Sequence, residues 1–146
     1  MKRILISTRG GRAPAAGVMS LALLLFLGAC GAGGPAYGPP AAGVAATVEM
    51  TPGLAFDPAE ITVQAGATVE WRNKSIFTHT VTADPELAAD PAHVALPQGA
   101  ATFHSGPVAA GAVFRHTFAT PGTYRYVCLP HEGFGMMGTV VVKPRS

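Results

Sequence analysis

Near the C-terminus, Cys128-Leu129-Pro130-His131-Glu132-Gly133-Phe134-Gly135-Met136 sets a thiol, an imidazole and a thioether at spacings of three and five. Soft sulfur donors combined with imidazole make a ligand set that suits copper. One Cys with two His and a weak axial Met is the pattern of a blue-copper electron-transfer centre. This loop supplies three of those four groups, so the fourth should be a His on another strand. His79, within Asn73-Lys74-Ser75-Ile76-Phe77-Thr78-His79-Thr80-Val81, is the best candidate. It follows the Trp71 strand and opens another β-type run, so a sheet would hold it. The other histidines fit less well. His116 shares its parity with Phe114 and Phe118 and reads as half-buried sheet, while His93 and His104 lie in loop-like context.

Those ligands need a rigid frame, and from Thr47 the chain reads as short β-runs punctuated by Pro and Gly. Ile61-Thr62-Val63-Gln64 ends at Ala65-Gly66, a turn signal. Thr68-Val69-Glu70-Trp71-Arg72-Asn73 alternates, with Val69 and Trp71 expected on one face and Glu70 and Arg72 on the other. Residues 113–118 follow Gly111, and Thr120-Pro121-Gly122 turns into a strand where Tyr124, Tyr126 and Cys128 share a face. Residues 138–143 close the chain, with Val140 and Val142 together. No long segment has helical period. Seven or eight strands at this spacing predict an all-β sandwich or barrel. Residues 84–99, rich in Ala and Pro, break the pattern and read as a long loop with a helical turn around 86–89.

The chain has 146 residues, of which 49% are hydrophobic and 12% charged. That is one domain's length, and it excludes a highly charged disordered protein. The formal charge of +2 is misleading, because four of the ten basic residues are Lys2, Arg3, Arg9 and Arg12. After Cys30, six basic residues face all eight acids, about −2, so no basic patch points to nucleic acid. Two cysteines, Cys30 and Cys128, make no disulfide framework.

The first residues read as a secretory signal. A basic start leads into the apolar run at 18–27, too short to cross a bilayer. The run ends in Leu27-Gly28-Ala29-Cys30, which resembles the lipobox of bacterial lipoproteins, where the Cys becomes the lipidated N-terminus. Ordinary cleavage nearby is the alternative, and it leaves Cys30 without a purpose. We therefore expect a signal peptide at 1–29, and a lipidated Cys30 with a Gly/Ala/Pro-rich tether at 30–46. The domain at 47–146 then sits outside the cytoplasm, anchored to a membrane of the bacterial cell envelope. Residues 31–46 would reach about 20–24 Å as a flexible coil.

From Thr47 to Lys143 the chain resembles the cupredoxins, and within them the plastocyanin-like branch. Gly53-Leu54-Ala55-Phe56-Asp57-Pro58, the strand at 66–73, Phe77-Thr78-His79, the run Pro121-Gly122-Thr123-Tyr124-Arg125-Tyr126-Val127-Cys128 and Met136-Met137-Gly138-Thr139-Val140 carry the resemblance. It implies a Greek-key β-sandwich holding one type 1 copper per chain through His79, Cys128, His131 and Met136. The family spacing favours Met136 over Met137, which is expected in the core. It also implies that the loop His reaches the surface through an apolar docking patch, here Leu54, Pro130 and Phe134. Thr80 departs from the family's usual Asn after the first His, a residue that braces the ligand loop. The length of 84–99 is a second departure. Glu132 is expected to be solvated.

The implied function is one-electron transfer between protein donors and acceptors by a monomer, not an enzyme. A copper-delivery protein without redox turnover is the alternative. A multicopper enzyme would need further sites, and a binuclear centre a second Cys in the ligand loop.

Overall fold

The computed structural model describes residues 41–145. The expected signal peptide, Cys30 and the tether as far as residue 40 lie outside the described residues. One sheet contains β1 (Val44–Met50), β2 (Phe56–Asp57), β4 (Ala67–Asn73) and β7 (Val113–Phe118) in the order β2-β1-β4-β7. The other contains β3 (Glu60–Gln64), β5 (Thr82–Ala83), β6 (Phe103–His104), β8 (Gly122–Val127) and β9 (Met137–Lys143) in the order β3-β9-β8-β5-β6. The β1–β4 and β3–β9 pairs are parallel and the rest antiparallel. The result is a β-sandwich, as expected. Three of its nine strands are only two residues long, too short to show in a periodicity reading. The domain also begins earlier than Thr47. Val44 already pairs with Thr68, because small apolar residues that look like a linker serve equally well beside β4.

Alternation fills the core as expected. Val48, Met50, Val69, Trp71, Tyr124, Tyr126, Val140 and Val142 are all buried. Trp71 Nε1 donates to Tyr126 Oη at 3.0 Å, with the rings nearly perpendicular and their centroids 5.4 Å apart. That bond satisfies the indole N–H, which buried Trp otherwise leaves orphaned. Phe118 and Phe56 pack on the same cluster at 6.2 Å from Trp71 and 4.8 Å from Tyr126, respectively.

Glu70 does not face solvent. It lies on β4 between Thr47 and Arg115, fully buried, and pairs with Arg72 Nε at 2.5 Å and with Arg115. A strand in the middle of a sheet has neighbours on both sides, and here one of them is a guanidinium. Burial works to raise the Glu70 pKa, but the hydrogen bonds and charges of Arg72 and Arg115 outweigh it and hold it below its ordinary 4.5. A depressed folded pKa contributes stability above the unfolded value and loses it as pH falls through the folded one. We expect stability to decline as pH drops below about 4.5. Glu70→Gln should cost about 1–3 kcal/mol at pH 7, the scale of charge-assisted bonds, and flatten that decline. Urea unfolding across pH checks both, and an unchanged acid limb in the variant would contradict the assignment.

Residues 84–99 are fastened rather than loose. A turn returns the amides of Leu87 and Ala88 to Asp84 O, close to the expected helical turn. A 3₁₀ turn at Pro91–His93 follows, capped by the Asp90 side chain on the Ala92 amide. Ala95 then exchanges two backbone bonds with Arg125 of β8, at 3.2 and 2.9 Å.

Candidate metal centre

The loop from Cys128 to Met136 is the connection between β8 and β9. Its ends are tied directly, since Cys128 N donates to Met136 O at 3.0 Å and Met136 N donates to His131 O at 3.2 Å. Between them Leu129–Phe134 forms a 3₁₀ turn, with Pro130 near its start and Gly135 at its end in the left-handed conformation, φ 82°. A residue with a Cβ is disfavoured there, which explains the Gly. His79 enters from the other side of the centre. Its backbone makes two bonds with Val108, at 3.1 and 2.8 Å.

Three of the expected ligands converge. His79 Nδ1 lies 3.6 Å from Cys128 Sγ, His131 Nδ1 lies 3.3 Å from the same sulfur, and the two nitrogens are 3.1 Å apart. All three donor atoms fall within 4.8 Å of one another. His79 and Cys128 are fully buried, while His131 is half-buried. Met136, the fourth expected ligand, is fully buried at the loop's end. Met137 is not in the core as expected: it is 38% exposed, because its neighbour takes the inward position and alternation turns it out. Two imidazoles and a thiol meeting in a dry space fit a soft metal ion such as copper.

A hydrogen-bond network sets the His79 ring. Its Nε2 lies 2.7 Å from Ser75 Oγ. That hydroxyl also accepts from Phe77 N and reaches Asn73 Oδ1 at 3.0 Å and Phe77 O at 3.2 Å, both pure acceptors. When the hydroxyl proton goes to one of them, Ser75 Oγ is free to accept the Nε2 proton of His79, and this is the tautomer that a metal at Nδ1 requires. That tautomer leaves the lone pair on Nδ1, the nitrogen nearest Cys128 and His131. Asn73 anchors the network by donating to Phe77 O and Val108 O. Burial, then the neighbouring His131, lower the His79 pKa and keep the ring neutral for a metal. Burial pushes the Cys128 thiol up against the bond from the Thr80 amide, so metal uptake must displace a proton.

Thr80 braces the ligand loop despite replacing the family's usual Asn. Its amide donates to Cys128 Sγ at 3.3 Å, and its Oγ1 accepts from Leu129 N at 2.8 Å and from Thr82 Oγ1 at 3.2 Å. The threonine hydroxyl thus holds the residue after the ligand Cys.

The surface over His131 is apolar. Phe134 is 76% exposed with its ring 6.5 Å from His131, and Pro130 is exposed. Leu54 is only half-buried, in a turn after β1, at a positive φ of 55°. One member of this surface, Phe77, and its exposed neighbour Ile76 were missing from the sequence reading. Ile76 is 86% exposed, and Phe77 is 45% exposed with its ring 6.2 Å from His131. Two large apolar residues in a row beside a His candidate were the available signal. Glu132 is not solvated as expected but buried, and accepts from the amides of Ala89 and Asp90.

Residues 42–143 match the family model described as copper binding proteins, plastocyanin/azurin family. The chain is 37% identical to plastocyanin of Scenedesmus fuscus over 94 residues, 62% of this chain and 88% of that one. It is 32% identical to plastocyanin of Prochlorothrix hollandica over 108 residues, 68% of this chain and 75% of that one. Against the longer chloroplastic plastocyanin of Tetradesmus obliquus it spans 59% of the relative's length at 35% identity. Among solved structures, a reduced amicyanin mutant superposes with TM-score 0.56 at 27% identity, over 70% of this chain and 85% of that one. A fern plastocyanin mutant, solved oxidised and reduced, gives 0.52 at 26% identity, over 66% and 99%.

Proposed function

The chain belongs to the plastocyanin/azurin family of copper-binding proteins, and on that footing we propose that it carries single electrons at a bacterial envelope membrane, held there by acyl chains on Cys30. The observation that carries the electron-transfer reading is the convergence of His79 Nδ1, His131 Nδ1 and Cys128 Sγ on one buried space. Bound copper supplies one-electron exchange between Cu(II) and Cu(I). His79, Cys128 and His131 are the strong ligands in this reading, and Met136 adds a weak thioether.

The chain's own residues do the rest. His79 is fixed by Ser75 and Val108, and the loop ends are fixed to each other, so the ligands stay in place whichever charge state they hold. Burial of Cys128 and Met136 excludes water. His131 is the conduit, since it alone of the three converging groups is partly exposed. Phe77 and Phe134, with rings 6.2 and 6.5 Å from His131, flank that exit with apolar surface, and their chain neighbours include the exposed Ile76 and Pro130. A redox partner with a small apolar face would dock and leave quickly there, as transient electron-transfer encounters do. The anchor rests on the Leu27-Gly28-Ala29-Cys30 pattern, and two or more acyl chains hold a protein stably at a bilayer.

Titrating the metal-free protein with Cu(II) tests the site. We expect intense blue absorption saturating at one copper per chain, bleached by ascorbate and restored on reoxidation. Copper uptake without colour or reversible reduction would move the delivery reading ahead. Replacing Met136 by Leu removes a donor that favours Cu(II). It should leave copper bound and raise the reduction potential, which voltammetry on an electrode reads. A potential equal to wild type would take Met136 out of the ligand set. Mass spectrometry of membrane-extracted protein tests Cys30, where a mature N-terminus carrying no acyl mass would remove the anchor.

A further inference from the structure

The 84–99 segment meets the ligand loop at one buried group. The Glu132 carboxylate, directly after His131, is 4% exposed. Its Oε2 accepts from Ala89 N at 2.8 Å, and its Oε1 accepts from Asp90 N at 3.0 Å and lies 2.8 Å from His93 Nδ1. All three partners belong to the segment. The segment is itself fixed to the sheet that carries the loop. Arg125 Nη2 donates to Ala92 O at 2.9 Å, Ala95 pairs with Arg125, and Val94 is buried in the core. The middle of the ligand loop is thus gripped by a segment fastened to β8, through a side chain of the loop reaching sideways.

We propose that Glu132 is a positioning residue, the joint through which the 84–99 segment acts as a brace that fixes His131 in the copper centre. The inference rests on the copper reading above for its consequence, but the brace itself is a property of the protein without metal. A buried carboxylate taking two backbone amides and an imidazole is costly to disturb, because the charged group on the loop is itself 4% exposed and would lose its charge-assisted bonds without water to replace them. The cost falls on the residue next to His131. A loop carboxylate facing water would not transmit strain in this way.

Two variants separate the joint from mere packing. Glu132→Gln keeps the size but turns an amide group toward two backbone donors. His93→Ala removes the segment's side of the joint and touches none of the proposed ligands. In the metal-free protein, amide exchange at Ala89 and Asp90 should speed up about tenfold or more in Glu132→Gln, the factor that about 1.4 kcal/mol yields. The His131 ring signals should move in both variants. In the copper-loaded protein both should shift the visible band and the reduction potential in the same direction, and the double variant should shift them little further. Wild-type exchange rates in Glu132→Gln would overturn the joint. Faster exchange with wild-type His131 signals, band and potential would overturn the positioning role. If Glu132→Gln fails to fold, the His131 ring signals, visible band and potential of His93→Ala decide, and wild-type values for all three would overturn the proposal. A wild-type protein that takes up no copper would sink the copper reading, and the exchange and ring-signal comparison would still decide the brace.

Discussion

Cys128→Ser should abolish the intense visible absorption of the copper-loaded protein. That colour needs a thiolate whose electrons move into the metal on excitation, and a serine hydroxyl neither ionises at neutral pH nor shares charge comparably. The substitution is conservative in size, and Thr80 N, which donates to Cys128 Sγ, can donate to the new oxygen. Cys128 is buried, but little volume is lost, so stability should change by about 1 kcal/mol. Affinity for Cu(II) should fall as well, because the histidines lose their anionic partner. The readout is therefore clean: a folded protein by circular dichroism, and no intense band on titration. A variant that keeps the wild-type spectrum would mean the metal sits elsewhere, since Cys128 is the only cysteine among the described residues.

The ligand loop was legible because it is contiguous. Cys128, His131 and Met136 fall within nine residues, and no packing information is needed to see them as one group. His79 lies 49 residues from Cys128, yet the β-runs on either side of it made the pairing readable. Met136 and Met137 differ by one position, and the alternation of β9, continued back one residue before its start, decides which is buried. The core aromatics were legible for the same reason, as Trp71, Tyr124 and Tyr126 lie on regular strands with period two.

What escaped reading depends on neighbours distant in sequence. Glu70 obeys the alternation that should expose it, and is buried because Arg115 comes beside it from β7 and Arg72 from its own strand. Glu132 looks like an ordinary loop acid until the amides of Ala89 and Asp90 arrive from more than 40 residues away. Residues 84–99 show no period because a turn, a 3₁₀ turn and a single bridge have none. Their order comes from fastening to β8 and to the ligand loop. Thr80 was legible as a departure from the family pattern. That one hydroxyl could still accept from Leu129 follows only from where the loop passes.

Gly138→Ala is the substitution outside the ligands with the largest expected effect. Gly138 lies directly across from Tyr126 in the β8–β9 pair. A Cβ there would overlap the Tyr126 ring at Cζ and Oη, with Cε2 at 2.8 Å. The ring cannot swing away cheaply, since its hydroxyl accepts from Trp71 and its edge packs on Phe56. Burial holds the same hydroxyl un-ionised, pushing its pKa far up, so it stays a neutral partner for the indole. Overpacking costs about 1–3 kcal/mol, and losing the Trp71 bond adds about 1 kcal/mol. We expect a total of about 2–4 kcal/mol, or a Tm lower by roughly 10–25 °C for a domain this size. The damage should reach the metal centre. Val127 and Met137 are the next pair along the ladder, and the ligand loop begins and ends immediately beyond them. Pushing the two strands apart separates Cys128 from Met136, so the copper band should broaden or shift in the same variant. A second substitution isolates the cause. If the clash with the ring is the mechanism, Gly138→Ala should cost much less in a Tyr126→Leu background than alone, because the obstructing atoms are gone. Equal costs in both backgrounds would place the sensitivity of Gly138 in its backbone instead.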